Sequence, residues 1–132
     1  MTSHVDWLKL LGWSEEQIED IRFAGYSFLK QGHYEHALKF FEVLTILSQS
    51  HLYDLQTVGA LYLQTGNNLA ALNYLERALK LDSSHEPTLL NHAKALLLLG
   101  YKKRGLSQVR TLTNHSDKYI ADQAQALVLA YS

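Results

Sequence analysis

Hydrophobic residues recur along the chain at the spacing of helices that bury one face. Between residues 34 and 48, for example, apolar side chains stand at Ala37, Leu38, Phe41, Leu44 and Leu47. This is the period of a stripe along an α-helix. Similar stripes, separated by polar or glycine-containing turns, follow to the end of the chain. The pattern predicts helices at about residues 6–11, 15–30, 34–48, 52–64, 68–81, 86–99, 102–113 and 117–131.

Residues that favour helix ends stand at the predicted boundaries. Gly12 follows the first short helix, where glycine commonly ends a helix. Ser14 and Gln17 have the spacing of a capping box at the start of the next helix. Either Asn67 or Asn68 caps the fifth helix, and Ser116 caps the last. The single proline in 132 residues also fits a chain that is mostly helical.

Three glycines indicate that the helices come in repeated pairs. Gly32, Gly66 and Gly100 are 34 residues apart, a period typical of a repeated helix–turn–helix unit. Blocks aligned on them, at residues 18–51, 52–85 and 86–119, share small residues at matching positions. The sequence predicts a single domain over residues 1–132. Its fold class is all-α, an α-solenoid of three repeats with an N-terminal helix and a C-terminal capping helix at residues 117–131.

The blocks resemble the tetratricopeptide repeat family, most clearly from Leu52 to Asp82. The resemblance extends over most of the chain and weakens in the third block, where His92 and Gly105 replace the usual leucine and alanine. The usual proline after the second helix is absent, and Ser83 takes its place in the second block. The resemblance implies stacked antiparallel helix pairs, in agreement with the glycine period.

Composition excludes several functions. The net charge of −1 suggests no bulk attraction to nucleic acid or to an anionic membrane. The one basic run, residues 102–104, is expected to be a solvated turn. No cysteine is present, so disulfides and thiol chemistry are excluded. No stretch has the length and hydrophobicity of a membrane span, and no secretory signal is visible.

Catalytic and metal-binding motifs are also missing. His33 and His36 lie close in sequence, but no third ligand accompanies them, and a zinc site needs three or four. We expect His92 to be a core or boundary histidine and Asp54 to be a helix-end residue. No nucleophile elbow, phosphate loop or pair of catalytic carboxylates appears. The sequence therefore predicts a protein that is not an enzyme and has no metal or other cofactor.

The tetratricopeptide resemblance implies a binding groove. In that fold the first helix of each repeat lines a concave face, and the matching positions here form a mainly apolar strip. An exposed strip of this kind binds an extended peptide, whose alternate side chains enter it. The alternative is that neighbouring helices or the N-terminal segment bury some of its residues. The predicted peptide-binding residues are Tyr26, Leu29, Tyr53, Gln56, Ala60, Leu63, Leu90, Lys94 and Leu97.

Some tetratricopeptide domains hold the acidic tails of heat-shock chaperones with a cluster of lysine, asparagine and arginine in this groove. Here Arg22 matches the charge of one member of that cluster. The others would fall on Tyr26, Thr57, Pro87 and Asn91. One basic residue and one amide are too few to grip a carboxylate, so the sequence argues against such a clamp.

The small size and the motif Gly32-x-Tyr34-x-x-Ala37-x-x-x-Phe41 resemble the tetratricopeptide chaperones of bacterial type III secretion. The resemblance implies a cytoplasmic bacterial chaperone that keeps an export substrate soluble. The substrate would be a translocator, a needle subunit or a small export component. The alternative is a generic scaffold that joins folded proteins. The apolar residues Trp7, Leu8 and Leu11 are expected either to form a dimer contact or to cover part of the substrate.

Overall fold

The computed structural model describes residues 7–48 and 51–132, and within these ranges every regular element is an α-helix. The predicted all-α fold is therefore confirmed. The predicted start of the first helix at residue 6 lies outside the described residues. The helices are α1 (Trp7–Leu11), α2 (Glu15–Lys30), α3 (Tyr34–Leu47), α4 (Leu52–Thr65), α5 (Asn68–Leu81), α6 (Glu86–Leu98), α7 (Lys102–Arg110) and α8 (Lys118–Tyr131).

The helices pack as three stacked pairs. Helices α2 and α3, α4 and α5, and α6 and α7 pack within their own repeats, while α3 contacts α4 and α5 contacts α6 between repeats. Helix α8 packs on α7 and α6 and covers the open end of the third repeat. The arrangement matches the predicted solenoid with its terminal capping helix. We call the side of α2, α4 and α6 the groove face, and the side of α3, α5 and α7 the outer face.

The repeated glycines end the first helix of each pair. Gly32, Gly66 and Gly100 have φ values of 78°, 90° and 93°, in the left-handed region that glycine enters without a Cβ clash. At Gly66, its own N–H donates to the Leu63 carbonyl at 3.2 Å, and the next N–H donates to the carbonyl one residue earlier at 2.9 Å. The other two turns contain the same bonds. Because this motif satisfies carbonyls at a helix end, it accounts for the 34-residue period.

Side-chain caps fix several helix starts. Ser14 and Gln17 form the predicted capping box at α2, and the side chain of Asn67 accepts a hydrogen bond from a backbone N–H of α5. The last helix is capped by Asp117 instead of Ser116 and so begins one residue later than predicted, because the Asp117 side chain accepts from the N–H of Tyr119 at 2.9 Å. Helix α7 ends at Arg110, earlier than predicted, and turns connect it to α8.

The helix pairs approach closely where glycine faces a large side chain. A Cβ added to Gly59 of α4 would come within 2.5 Å of Leu75 of α5. In the third repeat the glycine is on the second helix and the leucine on the first. A Cβ on Gly105 of α7 would come within 2.6 Å of Leu97 of α6. Interiors are packed to the density of organic crystals, so neither glycine could gain a methyl group without a shift. These contacts set how deeply each leucine is buried.

Candidate peptide-binding groove

A pocket of about 280 Å³ lies on the groove face between the first and second repeats. It brings together four of the predicted peptide-binding residues, which are Leu29, Tyr53, Gln56 and Ala60. Its other lining residues are Tyr34, Thr57, Leu61 and Gln64. We call this space the α2–α4 pocket. Its walls combine apolar carbons and aromatic rings with two side-chain amides, and none of its lining residues is charged.

The spacing of residues along α4 explains one wall of the pocket. Tyr53, Gln56, Ala60 and Gln64 are three or four residues apart, so they stand above one another on the same helix face. Thr57 and Leu61 lie one position to the side, are buried and form the floor. Neither belongs to the predicted strip, which contains only the repeat positions that line the concave face in the tetratricopeptide fold.

Tyr34 lines the pocket although it is not among the predicted peptide-binding residues. It belongs to α3, a helix of the outer face, but it is the first residue of that helix. It follows the Gly32 turn, so it still lies near the end of α2 and reaches the pocket. The repeat motif already contained this tyrosine. Only the direction of the chain at the turn, which the motif does not give, shows that the ring lines the pocket.

A buried ion pair joins α2 to α4 beside the pocket. The Nε of Arg22 donates to Asp54 Oδ1 at 2.9 Å, and an Nη donates to Oδ2 at 2.7 Å. Asp54 is 0% exposed and Arg22 is 9% exposed. The remaining Nη of Arg22 donates to Glu19, and His51 Nδ1 lies 3.6 Å from Asp54. The two-bond geometry is the strongest form of arginine–carboxylate pairing.

This pair corrects the expected role of Asp54. It is not merely a helix-end residue, because its carboxylate is buried between two repeats. The hydrogen bonds from Arg22 to Asp54 raise the pKa of the guanidinium above its usual value. Arg22 is therefore a positive charge already engaged by two carboxylates. A carboxylate of a bound peptide would have to displace them, which adds a structural reason to reject an acidic-tail clamp.

The hydroxyl of Tyr53 remains a hydrogen-bond donor at neutral pH. Burial raises the pKa of Tyr53 above that of an exposed tyrosine, because desolvation disfavours the charged phenolate. Its ring meets Phe41 edge to face, with ring centroids 5.8 Å apart. Tyr53 thus presents a fixed aromatic surface and a protonated hydroxyl at the mouth of the pocket.

The third repeat departs from the predicted strip. Leu90 is 7% exposed and Leu97 is 3% exposed, so the expectation that they line an open groove is wrong. Both belong to a core cluster with residues of α7 and α8. Leu97 turns inward because Gly105 leaves room for it, whereas the matching positions of the first two repeats hold Ala37 and Ala71. Leu90 is covered because α8 packs on α6.

The remaining predicted groove residues stay outside the α2–α4 pocket. Tyr26 is exposed, and the Lys30 ammonium lies 5.7 Å from its ring centroid. Leu63 is half-buried against the core cluster of α5 and α6. Lys94 is exposed on α6, one helix away from the pocket.

The N-terminal helix leaves apolar side chains in solvent. Leu11 is 48% exposed and Leu10 is more exposed still, while α1 contacts α3. The side chains of Trp7 and Leu8 lie outside the described part of the structure. On the first repeat, a recess of about 250 Å³ is lined by the apolar side chains of Ile21, Phe40 and Val43 together with Lys39.

No three histidine, cysteine, aspartate or glutamate side chains among the described residues converge as metal ligands. Within residues 7–48 and 51–132, no helix is long and apolar enough to cross a bilayer. His92 is buried, as its position in the repeat predicted.

Comparison with known families and curated sequences gives one short match. Residues 55–85 match the model of a tetratricopeptide repeat, which is the block where the resemblance is clearest in the sequence. No curated protein sequence matches significantly.

Solved structures match over nearly the whole chain. A type III secretion complex from Aeromonas hydrophila has a TM-score of 0.82 at 17% identity, covering 97% of this chain and 89% of its own. The Yersinia enterocolitica type III secretion chaperone SycD, with a peptide of the translocator YopD, has a TM-score of 0.78 at 19% identity and covers 89% and 94%. The Arabidopsis OM64 tetratricopeptide domain has a TM-score of 0.76 at 17% identity and covers 89% and 98%. The chain therefore has the tetratricopeptide-like solenoid fold found in small type III secretion chaperones.

Proposed function

We propose that the chain is a bacterial type III secretion chaperone without catalytic activity. In the cytoplasm it holds an extended segment of an export substrate, of the translocator class, and keeps it soluble until export. The observation that supports this most directly is the uncharged α2–α4 pocket on a fold shared with SycD bound to a translocator peptide. Binding only the unassembled substrate lowers the free concentration available for self-association.

The lining residues suit a neutral peptide. Leu29, Ala60 and Leu61 accept an apolar side chain, while Tyr53 and Tyr34 enclose it. Aromatic residues supply large contact areas at binding interfaces. The amides of Gln56 and Gln64 each offer a donor and an acceptor, so they can bond the backbone of an extended chain.

The groove also extends beyond the pocket. Tyr26 and Leu63 flank the pocket along α2 and α4, and Lys94 provides a positive charge on α6. We expect these three residues to contact parts of the substrate on either side of the segment held in the pocket. Because Leu90 and Leu97 are buried, substrate binding is concentrated on the first two repeats.

We expect the segment of α1 that carries Trp7, Leu8 and Leu11 to contact a second copy of the chain, with a contact to the substrate as the alternative. Leu11 and the neighbouring recess on the first repeat leave apolar surface in solvent. Light scattering on Leu11→Asp distinguishes the two roles expected for this segment. A change from dimer to monomer with intact substrate binding supports the dimer contact, and loss of substrate binding without a change in mass would instead assign it to the substrate.

Co-expression with a translocator segment, followed by co-purification and calorimetry, tests the groove. Tyr53→Ala should weaken binding about 30-fold, as expected for an aromatic hot spot, and Ala60→Glu should abolish it by placing a charge in the pocket. Leu69→Glu is the matched control, because Leu69 is exposed at the start of α5, away from the pocket. If the groove variants bind normally and outer-face variants do not, the chain is a scaffold for folded partners instead.

A further inference from the structure

A second pocket lies on the outer face, between α5 and α7. It has a volume of about 260 Å³ and is lined by Glu76, Leu79, Lys80, His92 and Arg104. We call it the His92 pocket. It lies between the second and third repeats, away from the α2–α4 pocket. Four of its residues belong to α5 and α7 on the outer face. The fifth, His92, belongs to α6 and lies beneath the pocket.

His92 carries an unsatisfied nitrogen that is buried beneath this pocket. Its side chain is 7% exposed, and its Nδ1 lies 3.0 Å from Gln108 Nε2, which also donates to the Leu89 carbonyl at 2.7 Å. The Nε2 has no hydrogen-bond partner, and the nearest carboxylate oxygen, on Glu76, is 3.9 Å away. Buried polar atoms are nearly always paired, so this nitrogen calls for a partner.

The lining of the pocket has one more cation than anion, since Lys80 and Arg104 accompany Glu76, and the start of α7 adds further positive charge nearby. Helix α7 begins with Lys102, Lys103 and Arg104, with no acidic residue in its first turn and no side-chain cap. The start of a helix is itself a region of positive partial charge. The guanidinium of Arg104 lies 5.9 Å from the Tyr101 ring centroid. Across the described residues, none of these three cations forms an ion pair with a carboxylate.

A second recess continues the positive surface along α7. Its volume is about 500 Å³, and Arg104 lines both recesses. The other residues of the second recess are Lys103, Ser107, Gln108 and Thr111. Two adjoining recesses exceed the size of a single ion, and Leu79 adds an apolar wall to the first. The shape therefore fits a length of chain with acidic and apolar side chains better than an isolated oxyanion.

We propose that the His92 pocket and the adjoining recess bind an acidic segment of a protein partner. Carboxylates of the segment pair with Arg104 and Lys103 above the buried imidazole of His92, and an apolar side chain rests on Leu79. This surface is separate from the substrate groove and does not depend on the function proposed for it.

The charges around His92 give the interaction a pH dependence. The groups that face it are Glu76 and Lys80 from α5, and Arg104 and Gln108 from α7. Burial lowers the pKa of His92, with Arg104 lowering it further while Gln108 and Glu76 oppose the shift. A bound carboxylate adds a nearby negative charge, so binding raises the pKa of the imidazole. By linkage, the acidic segment binds more tightly as the pH falls through the range in which His92 gains its proton.

Fluorescence anisotropy on the full chain tests the proposal with a labelled peptide of alternating glutamate and leucine. The comparison probes are the corresponding lysine–leucine peptide and inorganic phosphate. Arg104→Gln should raise the dissociation constant of the acidic peptide about fivefold, the effect of losing one exposed charge pair. Arg110→Gln is the matched control, since Arg110 is exposed on the same helix and lines neither recess. Thermal melts of both variants verify that they remain folded.

Nuclear magnetic resonance of the His92 ring provides a second measurement, which does not depend on any variant. The acidic peptide should change the Nε2 resonance and raise the titration midpoint. Equal binding of the acidic and basic peptides, or equal losses for Arg104→Gln and Arg110→Gln, would overturn the proposal. Full competition by phosphate at the same concentration as the peptide would show a single-ion site and also overturn it.

Discussion

The Arg22–Asp54 pair should determine much of the stability of the first two repeats, and its removal is the sharpest test of the structure. Asp54 is fully buried and takes two hydrogen bonds from Arg22, at 2.9 and 2.7 Å. Arg22→Met removes both bonds and leaves an uncompensated carboxylate between α2 and α4. Breaking a buried pair in this way costs about 3–5 kcal/mol. That is a large part of the roughly 5–15 kcal/mol that stabilises a typical domain.

The double variant Arg22→Met/Asp54→Ala separates the cost of the unpaired charge from the cost of lost packing. Because the second substitution removes the orphaned carboxylate, the double variant should be more stable than Arg22→Met alone. Glu19→Gln is the control. It removes the exposed partner of the same arginine, and exposed ion pairs contribute at most about 1 kcal/mol.

Urea unfolding followed by circular dichroism measures the free energies of unfolding of the wild type, Arg22→Met, Asp54→Ala, the double variant and Glu19→Gln under one set of conditions. A double-mutant cycle then gives the coupling energy between the two residues, which should exceed about 2 kcal/mol. The reasoning is refuted if the two single effects add without coupling. It is also refuted if Arg22→Met costs no more than Glu19→Gln.

Three further predictions use the same assays. Gly66→Ala should cost about 1–2 kcal/mol, because φ at this position is 90° and an L-residue is strained there; urea unfolding measures the loss. Leu97→Ala should cost about 2–5 kcal/mol because it opens a cavity in the core, whereas Leu98→Ala, on the exposed neighbour, should change unfolding by less than about 1 kcal/mol. His92→Gln should flatten the fall in melting temperature between about pH 7 and pH 5. Burial lowers the pKa of His92, so the unfolded state takes up its proton first and stability is lost as pH falls below the unfolded pKa.

The architecture could be predicted from the sequence because its determinants are local. A left-handed turn after each first helix requires glycine, so Gly32, Gly66 and Gly100 mark the repeat directly. The capping box at Ser14 and Gln17 depends only on residues three apart. The bounds of α5, Asn68–Leu81, agree with the prediction for the same reason.

Burial in the groove could be predicted only in part because it depends on contacts between helices. Leu29, Leu63 and Leu97 occupy the same repeat position, yet Leu97 alone is buried. The difference arises from Gly105, on the opposite helix, whose missing Cβ leaves space for the leucine. The sequence shows that Gly105 replaces the usual alanine of the repeat. Only the packing shows which side chain fills the space.

The Arg22–Asp54 pair was missed for a related reason. The two residues are separated by 32 positions, and each was interpreted within its own helix. In a solenoid, however, the first helices of successive repeats lie side by side, so residues about one repeat apart are candidates for contact. A search for opposite charges separated by about one period would have found the pair.

The two irregular features explain why the two proposed binding surfaces lie at different ends of the solenoid. Gly105 draws Leu97 into the core, which removes an apolar side chain from the groove of the third repeat and leaves the uncharged α2–α4 pocket as the main space for a peptide. His92, the other departure from the repeat pattern, places an unsatisfied nitrogen beneath the outer face of the same repeat. Beside the α2–α4 pocket Arg22 is paired with Asp54 and Glu19, whereas the cations at the start of α7 form no ion pair with any described residue. Apolar recognition is therefore expected at the first two repeats and electrostatic recognition at the third, so variants on the two faces should act independently.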